Sequence, residues 1–124
     1  MILGIIFSGL GVILGAFGAH GLKPLLDTDQ LATYETGVRY QMYHGFALLA
    51  AGILYGQFPK KAIRTATLFF LFGIFLFSGS LYAMTALKIS GEVGLGGLGI
   101  LTPIGGLCFI VGWILMLAGV VKKG

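Results

Sequence analysis

The chain has 124 residues, 57% of them hydrophobic and only 10% charged, with a mean hydropathy of +1.00. A soluble domain carries about 25% charged residues, so the composition excludes an ordinary water-facing globule and points to one membrane-embedded domain. The formal charge of +4, without a basic stripe among aromatics, excludes nucleic-acid binding, and the single Cys108 excludes an intrachain disulfide or a paired-thiol redox centre.

Met1 to about Ala19 is an unbroken apolar run of roughly the ~20 residues a span needs. Ala16, Gly18 and Ala19 are small enough for a cleavage site. No basic segment precedes the run, however, and more membrane sequence follows, so it reads as span one rather than a signal peptide. Gly4, Ser8, Gly11, Gly15 and Gly18 step by threes and fours, which lines them along one helix face. Lipid offers helices no hydrophobic drive to associate, so close backbone approach over this stripe is the expected packing contact.

Lys23-Pro24 breaks the first span, and Asp27 with Gln30 has the form of a capping box for the next helix. From there to Gly56 a helix would run about 43 Å, against a hydrocarbon core of about 30 Å. Its first turns, through about Thr36, therefore belong in the headgroups, and Gly37 is where they could break away as an interfacial segment. Gln57 to Lys61 forms a tight polar turn.

Span three carries Phe69, Phe70, Phe72, Phe75 and Phe77 over most of its circumference, so several must face lipid or a partner. It closes in small and hydroxylated residues: Ser78, Gly79, Ser80, Tyr82 and Thr85. The glycine-rich segment Lys88 to Gly97 leads into GLGGLG at Gly94 to Gly99, which superficially suggests a phosphate loop. The strand and soluble helix such a loop requires are missing, so it reads as a flexible turn. Span four holds Pro103 in its first turns, where a missing amide matters least. Gly105, Cys108, Gly112 and Gly119 lie near one face of it, with Cys108 as a small packing residue. The expected fold is all-α: an integral membrane bundle of four transmembrane helices at about residues 1–20, 36–56, 62–87 and 98–121.

Four spans put both termini and the middle turn on one side. That side holds Lys60, Lys61, Arg64, Lys122 and Lys123 and no acid; the other holds Lys23 and Lys88 with Asp27, Asp29 and Glu92. The positive-inside rule then makes both termini cytoplasmic. On this orientation His20, the stretch Glu35 to His44, Ser78 to Thr85 and Thr102 all fall in the outer leaflet. That shared depth defines the candidate site.

The second span keeps ionisable groups where they are costly. Glu35 and Arg39 are spaced i,i+4 with the acid first, the favourable order; they read as a structural ion pair or as a site for an anion or lipid headgroup. Gln41 and His44 point the other way, along a face with Gly37, Ala47 and Ala51. His44 is either a buried neutral ring bonded to Gln41, His20 or a hydroxyl, or a proton-handling or ligand-contacting group. Two histidines without nearby cysteines give only a partial metal set. Ser78 and Ser80 lack a paired base and acid. No enzyme or cofactor signature is found.

GAFGAHGL at 15–22, followed by ETGVRYQMYHGFALL at 35–49, resembles the YgdD/YwdK-like family of small bacterial membrane proteins. The resemblance implies a four-helix protein of the bacterial plasma (inner) membrane with these blocks as its hallmark, on Gly15, Gly18, His20, Gly21, Glu35, Arg39, Gln41 and His44. It brings no substrate, reaction or cofactor. The expectation is a non-enzymatic scaffold or partner-binding protein, in contact with membrane lipids and able to form a homo-oligomer. A cluster of His20, Glu35, Arg39, Gln41 and His44 would be its polar centre, and Gly11, Gly15, Gly18, Gly105 and Gly112 its helix contacts. The alternative is a small-solute, lipid or proton-coupled carrier built on His20 and His44.

Overall fold

The computed structural model describes residues 1–91 and 97–121. Glu92, the first half of the GLGGLG run (residues 94–96), and Lys122 and Lys123 lie outside the described residues. The described residues form four helices: α1 (Ile2–Leu22), α2 (Thr28–Gln57), α3 (Lys61–Ile89) and α4 (Leu98–Val121). No strand occurs among the described residues. α1 ends in a wide π turn, Gly18–Leu22, and a second π turn, Ile74–Ser78, interrupts α3.

Three of the helices, α1, α3 and α4, are long and apolar enough to cross a membrane. α2 is the longest at 30 residues; Arg39, Gln41 and His44 keep it from the same apolarity. It begins at the predicted capping box: Gln30 donates its amide to Asp27 Oδ1 at 2.8 Å, and Gln30 Oε1 accepts from the Asp27 amide at 3.1 Å. The helix does not break at Gly37, as the sequence had left open. Tyr34 and Gly37 are both buried against neighbouring helices, so the first turns are held by tertiary contacts.

α1 packs along α2, α2 against α3, and α3 along α4, with a small direct contact between α2 and α4. The core lies where the last three meet: Ala47, Leu48 and Ala51 of α2, Ile63, Ala66, Phe70 and Ile74 of α3, and Phe109 and Met116 of α4. Of the phenylalanines in α3, only Phe70 is fully buried, while Phe72 and Phe75 are exposed.

Both outer helices approach their neighbours over glycines seven residues apart. In α1, Gly4, Gly11 and Gly18 are buried against α2. A Cβ on Gly4 would stand 2.8 Å from the Gly45 carbonyl, and one on Gly18 would meet the Tyr34 ring. Gly15 sits at the edge of this seam, where a Cβ would make ordinary contact with Val38 at 3.4 Å. In α4, Gly105, Gly112 and Gly119 are buried against α3. Gly105 faces the backbone of Leu76 and Phe77, Gly112 the Phe70 ring, and Gly119 the Ile63 side chain. A seven-residue repeat keeps one seam facing its partner along a left-handed pair. Pro103 falls in the second turn of α4 rather than at its very start.

Candidate functional site: a polar ladder inside an apolar bundle

Tyr34, Gly37, Gln41 and His44 recur at three- and four-residue intervals, which puts them on one face of α2. That face turns inward, and each position makes a bond to another helix. The Tyr34 hydroxyl donates to the Leu14 carbonyl of α1 at 2.6 Å. Ser78 of α3 donates to the Gly37 carbonyl at 2.7 Å. Gln41 spans both sides: its Nε2 donates to the Phe7 carbonyl of α1 at 2.8 Å, and its Oε1 accepts from the Tyr82 hydroxyl of α3 at 2.7 Å.

His44 makes the tie to α4. Its Nε2 lies 3.1 Å from Trp113 Nε1, and its Nδ1 lies 2.7 Å from the Tyr40 carbonyl. An indole N–H only donates and a carbonyl only accepts. Both bonds therefore form with the neutral ring protonated on Nδ1. The Phe109 ring stacks on the imidazole with centroids 3.5 Å apart and planes 10° apart. A last rung joins α3 to α4: Ser80 Oγ donates its single hydrogen to the Phe77 carbonyl at 2.8 Å and accepts from the Thr102 hydroxyl at 2.6 Å. α2 is thus bonded by side chains to all three other helices.

The five residues singled out in the sequence part company here. Gln41 and His44 are buried on the inward face at 3% and 4% exposure. They do not bond one another; each turns to a different neighbour, because α1 and α3 flank one and α4 the other. His20 is exposed in the π turn of α1 and stands outside the ladder. Glu35 and Arg39 are exposed on the far side of α2, and neither enters the hydrogen-bond network. Tyr34 and Trp113 are partners that the sequence reading did not single out. Tyr34 carried a signal in falling three residues before Gly37 on the same face. Trp113 carried none, since its partner comes from a separate helix.

Grooves remain where helices sharing a neighbour stand apart. One, of about 440 Å³, runs between α1 and α3, with Leu14, Phe17, Tyr34, Tyr82 and Ile89 in its walls. A second, of about 640 Å³, opens between α2 and α4 beside Tyr40, His44, Leu107, Phe109 and Trp113. A third, of about 270 Å³, continues past Trp113 to Leu54, Met116, Leu117 and Val120. Among the described residues, no group of three or more histidine, cysteine, aspartate or glutamate side chains could hold a metal ion. One buried side-chain oxygen, Ser8 Oγ, has no hydrogen-bond partner there.

Fold and site together define a helical membrane protein in which one set of polar side chains, Tyr34, Gln41, His44, Ser78 and Ser80 among them, is turned inward and bonded within the bundle. The model of a family described as a protein of unknown function, DUF423, matches residues 14–106, a stretch that includes both hallmark blocks. The chain belongs to that family. It is 44% identical to a UPF0382 membrane protein of Staphylococcus saprophyticus over 98% of this chain and 96% of the relative. It is 41% identical to the UPF0382 membrane protein YwdK of Bacillus subtilis, over 98% and 95%. A UPF0382 membrane protein of Haemophilus influenzae is 42% identical over 90% and 85%. No solved structure matches the chain. It is a multi-pass membrane protein of a bacterial family whose molecular function is unknown.

Proposed function

We propose that the protein is a non-enzymatic scaffold of the plasma membrane, offering apolar surfaces to lipids and to other membrane helices, a second copy among them. One observation carries this reading. Among the described residues every buried side-chain nitrogen or oxygen except Ser8 Oγ already has a partner inside the protein. Little polarity is left to grasp a solute, while Ile5, Val12, Phe72, Phe75, Leu107 and Leu117 all stand exposed. In lipid, such surfaces associate by close fit rather than by exclusion of water. The groove that reaches His44 does not favour a carrier, because both ring nitrogens are engaged within the protein. Chemical cross-linking in native membranes is expected to capture a dimer or a companion membrane protein. Recovery of monomer alone would remove this reading.

The orientation belongs to the same proposal: the turn with Lys60, Lys61 and Arg64 faces the cytoplasm. In a Cys108→Ala background, Gln57→Cys is expected to react with an impermeant maleimide only in inverted vesicles, and Asp29→Cys only in intact cells. The opposite pattern would invert the protein.

A further inference from the structure

We infer that the furrow between α2 and α4 seats an acyl chain of an anionic phospholipid, with the basic turn at the start of α3 holding its headgroup. The inference rests on the apolar-surface reading above and deepens it by naming an occupant. The cavity bounded by Leu54, Met116, Leu117 and Val120 meets the wider groove at Trp113. Trp113 stands eight residues before Val121, about 12 Å by helical rise. That lies inside the ~15 Å that one leaflet contributes to the hydrocarbon core, so a chain entering at Val120 reaches the indole.

Charge selects the headgroup. Ile63 is seated on Gly119, where an added Cβ would stand 3.4 Å from the Ile63 amide nitrogen. The turn bearing Lys60, Lys61 and Arg64 is therefore set beside Val120, at the mouth of the furrow. No aspartate or glutamate occurs between Glu35 and Glu92 or after Glu92. A phosphate diester is attracted here, whereas the ammonium of a zwitterionic headgroup is repelled. A parallel second copy would bring a further set of cations to the same end. The groove between α1 and α3 has Leu22, Leu25 and Ile89 in its walls, and beside them Lys23 and Lys88 are offset by Asp27 and Asp29, so that end offers an anion no net positive charge.

Trp113 is the only tryptophan, so its fluorescence reports this furrow alone. The purified full-length protein would be placed in phosphatidylcholine vesicles doped with brominated phosphatidylglycerol or, at equal mole fraction, brominated phosphatidylcholine. The anionic lipid is expected to quench Trp113 with an apparent association on the order of threefold stronger. That ratio should fall to unity in Lys60→Gln/Lys61→Gln/Arg64→Gln. If the triple variant fails to reconstitute, Lys61→Gln and Arg64→Gln alone, both at exposed positions, should each lower it. Val120→Phe, which narrows the mouth, should weaken quenching by the anionic lipid. Equal quenching by the two lipids, or an anionic preference that survives charge removal, overturns the inference. Absence of quenching by either lipid would mean that protein covers the furrow; this sinks the lipid assignment and leaves the partner reading standing. Monomer-only cross-linking would do the reverse.

Discussion

Gly105→Ala is expected to destabilise the protein by about 3 kcal/mol, near the upper end of overpacking penalties. A Cβ at this position would stand 2.8 Å from backbone atoms of Leu76 and Phe77, besides meeting the Phe77 amide nitrogen. Backbone cannot swing aside as a side chain can, so α4 must slide away from α3 along the seam. The control is Gly9→Ala on α1, where an added Cβ meets nothing within 4 Å; alanine there should add a few tenths of a kcal/mol through helix propensity, up to ~1. Thermal unfolding of the two variants in one detergent would compare them. Equal midpoints would mean that α3 and α4 are not in the close contact described.

Gln41→Leu is expected to cost about 2 kcal/mol while keeping the volume of the site nearly filled. Interhelical hydrogen bonds in membranes average about 0.6 kcal/mol and reach ~1.7 kcal/mol, and Gln41 makes two of them. The Phe7 carbonyl still has its own helix, but the Tyr82 hydroxyl is left without an acceptor among apolar neighbours, a further penalty. A double-mutant cycle separates these effects. In a Tyr82→Phe background the same leucine should cost clearly less, because no hydroxyl is stranded. Additivity of the two substitutions would show that Gln41 and Tyr82 are not coupled.

Much of the fold is written in short-range pattern. The capping box at Asp27 and the glycines of α1 and α4 follow from spacing along a single helix, and spacing is a property of sequence. The inward turn of Gln41 and His44 was legible for the same reason, since both share a face with Gly37, Ala47 and Ala51. What each bonds to was not, because a hydrogen-bond partner is set by how helices far apart in sequence are brought side by side. Gln41 reaches Phe7 and Tyr82, and His44 reaches Trp113, across separations of 34, 41 and 69 residues. Grouping residues by membrane depth gathered His20, Glu35 and Arg39 with them, although depth alone does not fix direction around a helix axis. The π turns escaped altogether: nothing in IFLFS or GAHGL departs from ordinary helical composition.

The widened turn Ile74–Ser78 holds one more residue than an α-helical turn would need. Below it α3 presents Ile63, Ala66 and Phe70 to the core; from its last residue onward the same helix offers Ser78 to Gly37 and Tyr82 to Gln41. Excising a single residue here would let the segment relax to regular geometry and rotate everything beyond it by about 100°. The upper half of α3 would then aim its hydroxyls at acyl chains, although every one of them is still encoded. This stretch should therefore tolerate exchange of one greasy side chain for another far better than any change in its length.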